Sequence, residues 1–258
     1  MARAVTLRVF EGHARHYRHT WRGTSFSTLV TPVLFLSAMG LGLGSLVDAG
    51  RSAGLGGVDY LTWLAPGLLA GAAMQNGAGD GSFPVIAGIK WLKTYDAALN
   101  TPIRPADLAL GNLTWATLRA TAAALVYVFV ATAFGAMQLG RGLLAVVPAV
   151  ATAAGFCAAI SAVTARMQTD QGLAAVQRFL VVPLFLFAGT FFPVSQLPDH
   201  IQWVVWFVPL WHGVELARAL ALGAAPAGSW AVHVAVVVGF LVVGTYASVR
   251  SFDRRLHR

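Results

Sequence analysis

Apolar residues run almost unbroken through six stretches, roughly 28 to 47, 61 to 80, 108 to 134, 143 to 164, 176 to 192 and 230 to 249, and polar residues collect between them. An α-helix rises about 1.5 Å per residue, so about 20 mainly apolar residues cross a hydrocarbon core of about 30 Å. The pattern predicts an all-α integral membrane protein with six transmembrane helices and short connections. Ahead of the first stretch, Leu7, Phe10, Ala14, Tyr17 and Trp21 recur at intervals of three and four, while Arg8, Arg15, Arg18 and Arg22 take other faces. That spacing predicts an amphipathic helix lying in the membrane surface, with Phe10, Tyr17 and Trp21 sunk to headgroup depth. The chain therefore divides into a cytoplasmic interfacial helix over 1–27, a six-span domain over 28–249 and a basic tail over 250–258.

Two connections are more than turns. Between 81 and 107, the run Lys90-Trp91-Leu92-Lys93-Thr94-Tyr95-Asp96-Ala97-Ala98-Leu99 reads as a short helix stopped at Pro102. Aromatic and charged residues mixed on a short exposed helix suit a docking surface, and a helix that merely caps the membrane domain is the alternative. Between 193 and 229, apolar pieces are punctuated by Pro193, Pro198, Pro209 and Pro226, each piece too short to cross a bilayer. Such pieces sit at membrane depth where protein covers them, which predicts a re-entrant hairpin between spans five and six. A pair of interfacial helices is the close alternative.

Composition and charge give the spans a direction. Hydrophobic residues make up 57% of the chain and charged ones 11%, against about 25% charged in a soluble domain. The net charge of +8 does not form a stripe for phosphates, so nucleic acid is not an expected partner. With six spans, 14 of the 18 Lys and Arg fall on one side, including the arginines of both termini, which puts both ends in the cytoplasm. Only Arg51, Arg141 and Arg218 fall outside, and Arg119 lies within the third span. The first apolar stretch is long enough to anchor the chain after its 27-residue basic lead, so it does not read as a cleaved signal. Arg outnumbers Lys 16 to 2 amid abundant Ala and Gly, a composition typical of a bacterial genome rich in G and C.

Little in the chain reads as catalysis. No Gly-Lys dipeptide occurs, so no phosphate loop of the G-x-x-x-x-G-K type exists. Cys157 is the single cysteine and reads as packing. His13, His16 and His19 recur at intervals of three, but Arg15 and Arg18 between them repel a cation. His212 near Glu215 is the nearest approach to acid-base chemistry and lacks a nucleophile. Glu215 and Arg218 are spaced for a local ion pair. Arg119 is expected to snorkel, to join a structural pair, or to face the interior beside Trp115, where the two would line a substrate path. Gly40 with Gly44 and Gly67 with Gly71 have the spacing that brings helices together in lipid.

In order along the chain, these pieces resemble the type-2 ABC transporter permeases, in the branch of nodulation-factor, daunorubicin and polysaccharide exporters. Four segments carry the likeness: Pro32 to Leu36 with Gly40 to Ser45 and then Tyr60 to Met74; Trp91 to Asn112; Gly189-Thr190-Phe191-Phe192-Pro193-Val194-Ser195-Gln196-Leu197-Pro198; and Pro209-Leu210-Trp211-His212-Gly213-Val214-Glu215-Leu216-Ala217-Arg218. The resemblance implies that Lys90, Trp91, Lys93, Tyr95, Asp96 and Leu99 form a coupling helix seated on an ATPase subunit. It also implies that Gly189, Phe192, Pro193, Pro198, Pro209, His212, Glu215 and Arg218 shape an outer gate.

The reading that follows is a permease subunit of an ATP-driven exporter in a bacterial plasma membrane, not itself an enzyme. It would pair with two ABC ATPase subunits, which carry ATP and Mg, and with a second permease copy, identical or similar. It would move an amphipathic drug, lipid or lipid-linked saccharide outward. A secondary transporter driven by an ion gradient is the rival, and it calls for inverted repeats and buried acids that the chain does not clearly offer.

Overall fold

The computed structural model describes residues 2–44, 57–169 and 171–256, which form helices and connections with no strand among the described residues. α1, Ala2–Ser37, widens into a π-helical turn, Ala38–Gly44. α2, Tyr60–Ile86, ends likewise in Ala87–Trp91. The short α3, Thr94–Leu99, leads to α4, Pro105–Ala133, and α5, Leu139–Thr164. α6, Gln171–Val176, passes through a π turn, Gln177–Val181, into α7, Val182–Phe187. α8, Asp199–Val205, and α9, Pro209–Leu222, precede α10, Trp230–Leu256.

The boundaries follow local chemistry. α4 and α9 each begin on a proline, which has no N–H to leave unpaired there. At α4 the Arg104 backbone N–H also donates to Asp107 Oδ2 at 3.0 Å. α9 stops at Gly223, whose φ of +70° a side chain would resist. α4, α5 and α10 are each long and apolar enough to cross a membrane, and 28–40 and 171–187 are shorter apolar helices. α2 has the length, 27 residues, but Gln75, Asn76 and Asp80 break its apolar character.

α2 packs most extensively against α5, and glycine sets that distance. A Cβ on Gly77 would overlap the Ala153 backbone, and one on Gly81 would come within 2.5 Å of the Cys157 carbonyl. In the absence of water to drive apolar burial, such close backbone approach supplies the attraction. Gly67 and Gly71 serve the interior too, since Cβ atoms there would strike Thr190 and Arg218 at 2.9 Å and Phe185 at 2.7 Å. The main core gathers Leu64, Leu69, Met74, Val128 and Leu210. A second core, Val85, Tyr95, Leu108, Ala109, Ala165 and Phe252, closes one end of the bundle.

Several expectations change. α1 runs through Thr28 without a break, so interfacial helix and first span are one continuous helix. It lies alongside α4 in the same direction: Phe10 and Tyr17 meet the Trp115 ring edge-on at 5.3 and 5.6 Å. These two rings, expected at headgroup depth, make edge-to-face contact with a neighbouring helix. The side chains of Trp21, His13, His16 and His19 lie outside the described residues, as do Arg51 and the expected end of the first span at Val47. The tail from Arg250 is not separate, because α10 continues to Leu256 and buries Phe252 in the second core.

Candidate functional site

One end of the bundle presents a turn held by an unusual backbone. Lys93 has φ +49°, the only positive φ outside glycine among the described residues. A left-handed conformation costs an ordinary residue about 1–2 kcal/mol. It pivots the chain between the Trp91 turn and α3, leaving Trp91 53% and Leu92 68% exposed. Lys93 and Asp96 are exposed beside them, while Lys90 Nζ donates to the Gln168 carbonyl and ties the turn to the connection after α5.

Tyr95, expected on the contact surface, points the other way and is 6% exposed. Its ring occupies the space over Gly88, where a Cβ would come within 2.7 Å, and lies 5.8 Å from the Phe252 ring. The hydroxyl is buried with no hydrogen-bond partner among the described residues, and burial pushes its pKa above the usual phenol range. Leu99 also packs inward against this second core. Tyr95 and Leu99 therefore anchor this turn from within, and Trp91, Lys93 and Asp96 form its outer face.

Deeper in the bundle, a cavity of about 190 Å³ lies between α1, α2, α4 and α7. Thr31, Gln75, Asn76 and Arg119 supply polar groups to its wall, and Phe35 and Phe185 supply apolar ones. Arg119 donates to Asp80 Oδ1 at 2.5 Å and stands 6.0 Å over the Tyr17 ring. An unpaired arginine at the centre of a spanning helix costs about 2.5–3.5 kcal/mol on insertion scales. Asp80 offsets part of that cost, a partnership that sequence spacing did not reveal because the two residues lie on different helices. Polar and apolar walls facing one space suit an amphipathic ligand. Trp115, placed on the candidate path, packs instead against α1.

The opposite end is closed by a buried cation. Arg218 is 8% exposed and donates to Glu215 at 2.7 Å, to the Gly189 carbonyl at 2.8 Å and to the Trp63 carbonyl at 3.3 Å. Its guanidinium also lies 3.8 Å over the Trp63 ring. The Glu215–Arg218 pair is thus no exposed local contact: it joins α9, the start of α2 and the turn after α7. Gly189 makes this turn with φ +78°, and the adjoining Phe191 carbonyl accepts from the Tyr60 hydroxyl at 3.0 Å.

The prolines punctuate the same cap. Phe192 meets Phe187 edge-on at 6.3 Å, Pro193 precedes a short 3-10 turn, Val194–Gln196, and Pro198 and Pro209 open α8 and α9. His212 is buried beside His233 of α10, with ring centroids 4.8 Å apart. His233, Trp63 and Asp80 are site residues that sequence reasoning passed over. His233 and Asp80 had one signal, a polar side chain inside an apolar run, whereas Trp63 had none.

A bundle of apolar helices of membrane-crossing length, with an exposed aromatic turn at one end and a charge-held cap at the other, defines a multi-pass membrane protein. The sequence pattern of the ABC-2 type transporter family matches residues 13–222, and the chain belongs to that family. It is 30% identical to Nodulation protein J of Rhizobium leguminosarum bv. trifolii over 243 residues, 92% of this chain and 90% of that protein. To Nodulation protein J of Sinorhizobium fredii it is 32% identical over 228 residues, covering 88% and 85%. The same protein of Rhizobium meliloti is 30% identical over 229 residues, again covering 88% and 85%. The chain is therefore an ABC transporter membrane subunit rather than an enzyme in itself, and its family pairs with an ABC ATPase subunit.

Proposed function

We propose that the chain is the permease of an ATP-driven exporter that moves an amphipathic substrate outward through a bacterial plasma membrane. In this reading six spans cross the bilayer with both termini in the cytoplasm, and α8 and α9 form an outer re-entrant hairpin. The bias of 14 of 18 cationic residues to one side supports that orientation. Two ATPase subunits hold ATP and Mg, and a second permease copy completes the path. The cavity beside Arg119, with its polar and apolar walls, supports an amphipathic cargo.

The observation that carries the proposal is the exposed Trp91–Leu92 turn standing on the buried Tyr95–Phe252 contact. A rigid anchor beneath an aromatic docking face transmits a push from closing ATPase subunits into α2, α4 and α10. The test is substrate-stimulated ATP hydrolysis by the assembled complex carrying Trp91→Ala with Lys93→Glu. Stimulation should fall about tenfold, equivalent to about 1.4 kcal/mol of coupling. Stimulation equal to wild type, from a complex of normal composition, rejects the assignment.

A further inference from the structure

His212 and His233 face each other with Nδ1 to Nδ1 at 2.8 Å. The far nitrogen of each ring is also engaged: His212 Nε2 lies 2.8 Å from the Trp206 carbonyl, and His233 Nε2 lies 2.9 Å from the Ala227 carbonyl. A carbonyl oxygen only accepts, so both Nε2 atoms must carry protons. Two neutral imidazoles hold two protons in all, which leaves two bare lone pairs opposed across hydrogen-bonding distance. The contact closes only when a third proton sits between the Nδ1 atoms.

We propose that His212 and His233 form a proton-binding site, in which one shared proton clamps α9 to α10. The clamped pair carries a single positive charge over two rings. With no shared proton the lone pairs repel, and with a fourth proton two adjacent cations repel. The clamp therefore closes over a window of pH and opens on both sides of it. It lies next to the Arg218 cap, so its state bears on how firmly α9 is held.

Burial works against every added charge at the pair and against two adjacent charges most, so the single charge depends on being shared between the rings. Both rings are buried, at 2% and 1% exposure, and the Trp211 ring lies 4.8 Å from His212 and 5.1 Å from His233. On α9 the other charged groups are Glu215 and Arg218, paired with each other, and Glu215 Oε2 also accepts the Ala227 N–H at 3.0 Å. Glu215 thereby helps to fix the loop whose carbonyl holds His233. From α5, Arg141 donates to the Leu222 carbonyl at 2.7 Å. Asp80 of α2 is engaged with Arg119, and Asp199 and His200 belong to α8. The remaining charges of α10, Arg250, Asp253, Arg254 and Arg255, lie in its last two turns, at the far end from His233.

The inference concerns protonation of the folded chain and holds whether or not the protein is an exporter. It is tested by nitrogen NMR of the full-length protein, labelled at histidine and held in lipid nanodiscs, titrated from about pH 5 to about pH 9 around the free imidazole value. The expected result is a pair with both Nε2 atoms protonated and a single proton shared across Nδ1, present over part of that range. The signal should be lost in His233→Asn and in His212→Asn. Two wild-type rings that titrate independently, or that never hold three protons between them, overturn the proposal even where a variant does not fold.

Discussion

Asp80 accepts a hydrogen bond from Arg119 at 2.5 Å across 39 positions of sequence, and this contact is how a helix of membrane-crossing character carries an arginine near its middle. The carboxylate belongs to α2 and the guanidinium to α4, so the pair also fixes the wall of the cavity they share with α1. Asp80→Ala should therefore lower stability, by less than the roughly 2.5–3.5 kcal/mol of an unpaired arginine at a helix centre, because the Arg119 side chain is 35% exposed and can swing away. Arg119→Ala in the Asp80→Ala background should restore part of the loss. Unfolding of the four members of this double-mutant cycle measures the coupling, and strict additivity would show that the pair contributes nothing.

Arg218→Ala leaves the Glu215 carboxylate buried without its cation, and loss of one partner from a buried pair costs about 3–5 kcal/mol. Arg218→Lys should recover only part of this, because an ammonium cannot reach Glu215, Gly189 and Trp63 together as the guanidinium fork does. Thermal unfolding in matched detergent separates the three proteins, and equal midpoints for wild type and Arg218→Lys would reject the fork.

Gly77→Ala and Gly81→Ala force a methyl into the backbone of α5, and overpacking of this kind costs about 1–3 kcal/mol or shifts the helices apart. Gly79, on the same helix, has open space where a methyl would stand, with nothing within 4 Å. Gly79→Ala should thus be neutral or gain about 0.5–1 kcal/mol through lost chain entropy. Folded yield and unfolding midpoint check all three.

Tyr95→Phe removes a buried hydroxyl that has no partner among the described residues, so stability should hold or rise by about 1 kcal/mol. Tyr95→Ala should cost about 3–5 kcal/mol, as for other large aromatic cores. The pH dependence has a definite sign: burial raises the phenol's pKa, so the folded state resists the ionisation that the unfolded chain undergoes near pH 10. Stability supplied by the neutral phenol is present below that pH and is lost as alkali ionises the unfolded chain. Ultraviolet titration of wild type against Tyr95→Phe should show one tyrosine that ionises only as the fold melts.

Periodicity and composition alone announce helices, a membrane class and two special connections, because 3.6-residue repeats and long apolar runs are local properties of the chain. The family likeness of 189–198 and 209–218 and the packing use of Gly67 and Gly71 are legible for the same reason. What only the tertiary structure decided is which polar residues meet. Asp80 with Arg119, His212 with His233, and Arg218 with Trp63 and Gly189 each join different helices, and nothing in linear spacing encodes a distance across a bundle. The orientation of Tyr95 is hidden on the same ground: a short run with Trp91 and Tyr95 set among Lys90, Lys93 and Asp96 does not declare which aromatic turns inward, and Gly88 with Phe252 settled it by leaving a space of its shape. The continuity of α1 through Thr28 is likewise visible only in the tertiary structure, where Phe10 and Tyr17 of its first half pack against Trp115 of α4.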